Sequence, residues 1–107
     1  MNYNETVIEK LRNEPHYTEH YFREALCGLD DECGERDFLI AIRHIIEAKG
    51  GMRNIAQLSG LSRENLYRAF SENGNPTLRT IKQVIHALGL KFSAIGELAS
   101  SKSTKIK

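Results

Sequence analysis

The stretch Ile55-Ala56-Gln57-Leu58-Ser59-Gly60-Leu61-Ser62-Arg63 decides how this chain reads. A glycine stands at a bend, a small alanine lies four residues before it, and apolar residues fall where two short helices must touch. Ala56 has to be small because the second helix crosses close to its Cβ. Gly60 is placed to end the first helix, where a left-handed backbone just past the last turn carries no Cβ penalty. Ser62 is placed to cap the second helix by accepting a backbone N–H bond. Leu61, Leu66, Ala69 and Phe70 return at helical spacing to a core shared with Ile55 and Leu58. The pattern is a helix-turn-helix, a device for presenting one helix to the major groove of DNA.

Outward from the turn, the first motif helix is expected from about Met52 to Ser59 and the second from Arg63 to about Ser71. Gly50-Gly51 stops the preceding helix, whose inner face is Phe38, Leu39, Ile42, Ile45 and Ile46. Before it, Asp30-Asp31-Glu32-Cys33-Gly34 forms a polar connection. Glu14-Pro15 suits a helix start, because a proline there loses no needed donor. Tyr17, Tyr21, Phe22, Ala25 and Leu26 make the apolar stripe of that helix, which ends near Gly28. Residues 4–12 read either as a short helix or as an extended arm. After the motif, Glu72-Asn73-Gly74-Asn75-Pro76 is a loop by composition. Thr77 caps a helix with core face Leu78, Ile81, Val84, Ile85 and Leu88, closed by Gly89. Lys91-Phe92-Ser93-Ala94-Ile95 reads as a fifth helix or a short strand. The division that follows is an acidic N-terminal extension over 1–34 with a helix at about 15–28, a helix-turn-helix domain over 35–99, and a basic, frayed tail over 100–107.

The net charge of +1 over 107 residues conceals an asymmetry. Residues 1–35 carry three basic residues against nine acidic ones, a net −6, and residues 36–107 carry twelve against five, a net +7. A duplex attracts the second part and repels the first. No stretch approaches the roughly 20 apolar residues of a membrane span. Met1 to Glu5 lacks the basic start and apolar run of a signal peptide, so a cytoplasmic protein is expected. Cys27 and Cys33 in that setting are expected as free thiols.

With Leu66, Ala69 and Phe70 turned inward, Arg63, Glu64, Tyr67 and Arg68 face outward from the second motif helix, with Ser62 at its tip. Arginine bonds bidentately to guanine, a glutamate accepts from a cytosine amine, and a tyrosine touches a thymine methyl or a phosphate. Arg63 and Arg68 are therefore the first candidates for reading bases. Phosphate contacts are expected from Arg53 in the first turn of the first motif helix, where free N–H groups suit an anion. Asn73 and Asn75 in the loop and Arg79 in the next helix are further candidates, although Asn and Gly also favour such loops for turn chemistry alone. One such unit covers too little DNA for selective binding, so a two-fold homodimer on a palindromic operator is expected. The apolar segment Phe92–Leu98 is the first candidate for its interface and residues 15–29 the second.

The run from Gly50 to Pro76, with Leu-Ser-Arg-Glu-Asn-Leu-Tyr-Arg at 61–68 and Glu-Asn-Gly-Asn-Pro at 72–76, is followed by a helix ending Ala87-Leu88-Gly89-Leu90. It resembles the addiction-module antidote proteins of bacteria, whose helix-turn-helix belongs to the phage-repressor (Xre-like) class. The resemblance covers roughly residues 14–95, and Asn65 departs from a usual serine. It implies an all-α fold: a five-helix phage-repressor-like helix-turn-helix domain with an N-terminal helical extension. It also implies a type II antitoxin that silences a small RelE/HigB-like toxin, an endoribonuclease, and represses its own operon. The acidic segment 1–35 would then be the surface for a small basic toxin, by electrostatic inference rather than by family pattern. The alternative is a phage-type repressor with no toxin.

Two further classes compete. His16 and His20, four apart, with Cys27 and Cys33 nearby, carry zinc-ligand chemistry, but the two cysteines are separated by five residues and form no Cys-x₂-Cys pair. Ordinary surface histidines are the expected reading, and His44 and His86 are expected to be partly buried. No nucleophile elbow, phosphate loop or paired-carboxylate pattern occurs, so no enzyme, catalytic residue, metal or cofactor is expected. A protein-binding scaffold built on a degenerate motif would not need Arg53, Arg63 and Arg68.

Overall fold

The helix Gly34–Ala48 is the post on which the rest of the chain is assembled. In the computed structural model, which describes residues 3–91, six α-helices follow one another. They are α1 (Tyr3–Asn13), α2 (Pro15–Cys27), α3 (Gly34–Ala48), α4 (Gly51–Ser59), α5 (Arg63–Ala69) and α6 (Leu78–Ala87), with a 3₁₀ turn at Gly28–Asp30 before α3. Among the described residues the fold is all-helical. The C-terminal segment for which a strand was an alternative lies, beyond Lys91, outside the described residues. So do Phe92–Leu98 and the tail 100–107.

Phe38, Ala41, Ile42, Ile45 and Ile46 give α3 an apolar face at 3.6-residue spacing, and all five are buried. α1 and α2 pack on one side of that helix, α4 packs on it next, and α5 and α6 both close on α4. One apolar cluster runs through the described residues, from Val7 and Leu11 of α1 and Phe22 and Leu26 of α2 to Ile55, Leu66, Phe70, Val84 and Ile85. Each fully buried side chain of this kind contributes roughly 1.5–3 kcal/mol by leaving water. Residues 4–12, ambiguous in sequence, are helical, because Val7 and Leu11 find a buried place against α3. Pro15 opens α2 as expected.

Two apolar positions, one helix end and one histidine depart from expectation. Leu58 is 62% exposed and Leu78 is 72% exposed, although both were assigned to the core. Each stands at an end of its helix, beyond the point where the neighbouring helix covers it, so helical spacing alone overcounts the buried set. α5 ends at Ala69, with Phe70 as its C-cap, two residues short of the expected Ser71. His86 is exposed.

His44 is the polar residue buried most consequentially. The Tyr21 hydroxyl lies 2.7 Å from its Nδ1, and its Nε2 lies 2.9 Å from Asn4 Oδ1. The amide oxygen only accepts, so Nε2 carries the proton and donates, leaving Nδ1 to accept from the tyrosine. This neutral imidazole ties α1, α2 and α3 together. Burial, with Arg43 beside it, holds its pKa below the ordinary histidine value. Burial, reinforced by Tyr3 and Tyr17, pushes the Tyr21 hydroxyl up to about 12.

Candidate nucleic-acid interface

The joint between α4 and α5 is pinned by its own backbone and two serines. Gly60 adopts φ 80°, a conformation open to glycine, and its N–H reaches Ala56 O at 3.0 Å. The Ser59 hydroxyl donates to Ala56 O and accepts from the Leu61 N–H, each at 3.3 Å. Ser62 Oγ accepts from the Asn65 N–H at 3.0 Å, the N-cap foreseen in the sequence. Ala56 is buried at the crossing. Leu66 and Phe70, both fully buried, fix the rotation of α5 about its axis.

That rotation turns Arg63, Glu64, Asn65, Tyr67 and Arg68 outward. Arg63 joins Arg53, Gln57, Ala56 and Leu61 around a shallow hollow of about 490 Å³ between the two motif helices. Two guanidinium groups and an amide therefore share one concave surface. The ion pairs His20–Glu24 and Arg23–Glu19 both lie within α2. Arg53, Arg63, Arg68 and Arg79 enter none of them, so their charge stays available to a polyanion.

The remaining candidates are distributed differently. Glu64, Arg68, Asn73, Asn75 and Arg79 are exposed and line none of the described hollows. Tyr67, 58% exposed, stands one turn after Arg63 on α5 and lines a second cleft of about 630 Å³. The loop after α5 is folded back on that helix: Ser71 Oγ donates to Arg68 O at 2.9 Å, and Gly74 N–H reaches Ser71 O at 2.9 Å. A Cβ on Gly74 would run into the Ala69 carbonyl, so no other residue fits without moving Asn73 and Asn75. Thr77 Oγ1 accepts from the Thr80 N–H at 3.1 Å and caps α6 next to Arg79.

Gln57 is the residue that sequence reasoning missed. It stands four positions after Arg53, on the same helix face, and that spacing was the available signal. The histidine and cysteine positions weighed for zinc do not converge. His16 and His20 are exposed, Cys27 and Cys33 are exposed thiols, and among the described residues no three His, Cys, Asp or Glu side chains gather in a metal-binding group. No described helix is long and apolar enough to cross a membrane.

The profile of a family described as "probable addiction module antidote protein" matches residues 6–96. The chain belongs to this family. An uncharacterized protein of Haemophilus influenzae is 46% identical over 54 residues, which is 50% of this chain and 55% of that protein. The chain thus spans about half the length of that relative. No solved structure matches it.

Proposed function

We propose that this antidote binds a palindromic operator in double-stranded DNA as a homodimer through α4 and α5. It thereby represses its own operon and neutralises a small, basic RelE/HigB-like ribonuclease. The observation that carries the DNA half is the concave surface holding Arg53, Gln57 and Arg63, with no carboxylate among the described residues in an ion pair with either arginine. Arg63 and Arg68 read bases, Glu64 and Tyr67 refine the choice, and Arg53, Asn73, Asn75 and Arg79 hold phosphates. Ser62 sets where α5 begins and so where Arg63 points. The toxin half rests on family membership and on the acidic segment 1–35, whose net −6 favours fast capture of a basic protein. Its binding role needs no catalytic residue, cofactor or metal, and the cytoplasm is where such a pair would act.

The DNA half is tested by binding to a duplex from upstream of the chain's own reading frame. Selective binding is expected for that duplex and not for a shuffled one of equal length, and equal affinity for both would remove the repressor reading. The toxin half is tested by co-expression with the adjacent reading frame. Relief of growth arrest is expected, and arrest that persists would leave a repressor without a toxin.

A further inference from the structure

The second cleft meets α5 at Tyr67, one helical turn after the Arg63 of the arginine hollow. α1 contributes Asn4 and Ile8, α3 contributes Ile40, Arg43, His44 and Glu47, and the rest comes from Met52, from Tyr67 on α5 and from Phe70, Ser71 and Glu72 just after it. Its size of about 630 Å³ falls within the range of roughly 300–1,000 Å³ typical of ligand sites. Ile8, Ile40, Met52 and Phe70 supply apolar surface, and two carboxylates, Glu47 and Glu72, stand against one arginine.

We infer that this cleft seats a basic, apolar-tipped segment of the cognate toxin, so that toxin and operator exclude one another at Tyr67. The inference rests on the antitoxin reading above and adds to it a surface and a direction of regulation. Charge selects the occupant. The three cations of segment 1–35 are all engaged within the protein: Lys10 Nζ lies 4.4 Å from the Tyr17 ring centre, Arg12 Nη2 donates to Glu47 O at 3.4 Å, and Arg23 pairs with Glu19. The carboxylates of that segment point outward, and Glu9 follows Ile8 directly along the outer side of α1. Glu47 and Glu72 join none of the ion pairs among the described residues. A phosphate backbone is repelled from such a surface and a lysine- or arginine-bearing segment is drawn to it.

Tyr67 gives the direction of regulation. Its ring stands both on the outward face of α5 and in the cleft wall, three residues before Phe70 and five before Glu72. A chain segment resting on that ring occupies the volume that a groove-bound α5 gives to DNA. Toxin capture therefore releases the operator.

The test uses the full chain, the protein encoded by the adjacent reading frame, and a fluorescent duplex from the upstream region. Glu47→Lys and Glu72→Lys are each expected to weaken capture of that protein by about tenfold or more, as loss of an opposite charge and gain of a like one would do. Tyr67→Ala is expected to weaken both capture and operator binding. Adding the neighbour's product to the wild-type operator complex is expected to release the duplex. Two results overturn the inference: charge-reversed variants that capture as tightly as wild type, or a ternary complex in which toxin and operator share one copy. Sedimentation provides the remaining arm. If Glu47→Lys dissociates a homodimer without toxin present, the cleft seats a second copy and the inference fails. A wild-type chain that captures nothing from the neighbouring frame instead removes the antitoxin reading itself. Melting temperatures matching wild type confirm that the variants are folded, with Glu47→Gln as the milder replacement.

Discussion

The helical pair α1–α2 and the pair α4–α5 solve opposite electrostatic problems with the same architecture. In α1 and α2 the cations are turned to internal work, on the Tyr17 ring, on the Glu47 carbonyl and on Glu19, while carboxylates face solvent. In α4 and α5 the guanidinium groups face solvent and enter no ion pair among those described. Both pairs bury their apolar faces in one cluster around α3. The difference teaches that sign is assigned by which side chains the fold consumes, not by composition alone. One small domain can thus offer surfaces to partners of opposite charge.

The comparison breaks first if the two regions are energetically separate. Phe22→Ala, deep in α2, is expected to cost about 3–5 kcal/mol. It should shift one cooperative unfolding transition of the whole chain, read by calorimetry. Two transitions, with the α4–α5 part unmoved, would make α1–α2 a detachable arm. Ser62→Ala removes the cap that starts α5 and is expected to cost about 1 kcal/mol of stability. Its operator affinity should fall as well, because Arg63 is the next residue, and a melting shift without any DNA effect would free Arg63 from the groove.

A pH series separates the regions more gently. His44 has its folded pKa below the ordinary value of 6.5, so the unfolded chain takes up the proton first. Its contribution is complete above pH 6.5 and is lost as the pH falls from there toward the folded value. Tyr21, raised to about 12, makes stability fall as pH rises from 10 toward 12. Thermal melts of wild type and His44→Gln should differ in slope on the acid side, and identical slopes would remove His44 from the α1–α2–α3 tie. The smallest effect is expected at Leu58→Gln, within about 0.5 kcal/mol in the monomer, since the side chain is mostly in water. A larger loss that depends on protein concentration would place Leu58 in a dimer interface.

Local chemistry made much of this legible before any coordinates. The caps at Ser62 and Thr77, the turn at Gly60 and the proline opening α2 are signals written within four residues, and each stands as read. α1 was ambiguous because Val7, Ile8 and Leu11 are too few to define a stripe without knowing that α3 receives them. Leu58 and Leu78 were misplaced for the mirror-image reason: spacing marks a face but does not say where the covering helix ends. The cleft shared by Ile8, His44 and Tyr67 joins residues far apart in sequence. Only tertiary packing brings them together.

The most direct measurement is operator affinity across a salt series for wild type, Arg53→Ala and Arg63→Ala, each against the upstream duplex and a shuffled one. Expected is a salt slope shallower by about one unit for Arg53→Ala on both duplexes. For Arg63→Ala, a loss of about 1–3 kcal/mol is expected, confined to the upstream duplex. Slopes and sequence preference identical to wild type in both variants would contradict a DNA-reading surface at the α4–α5 hollow.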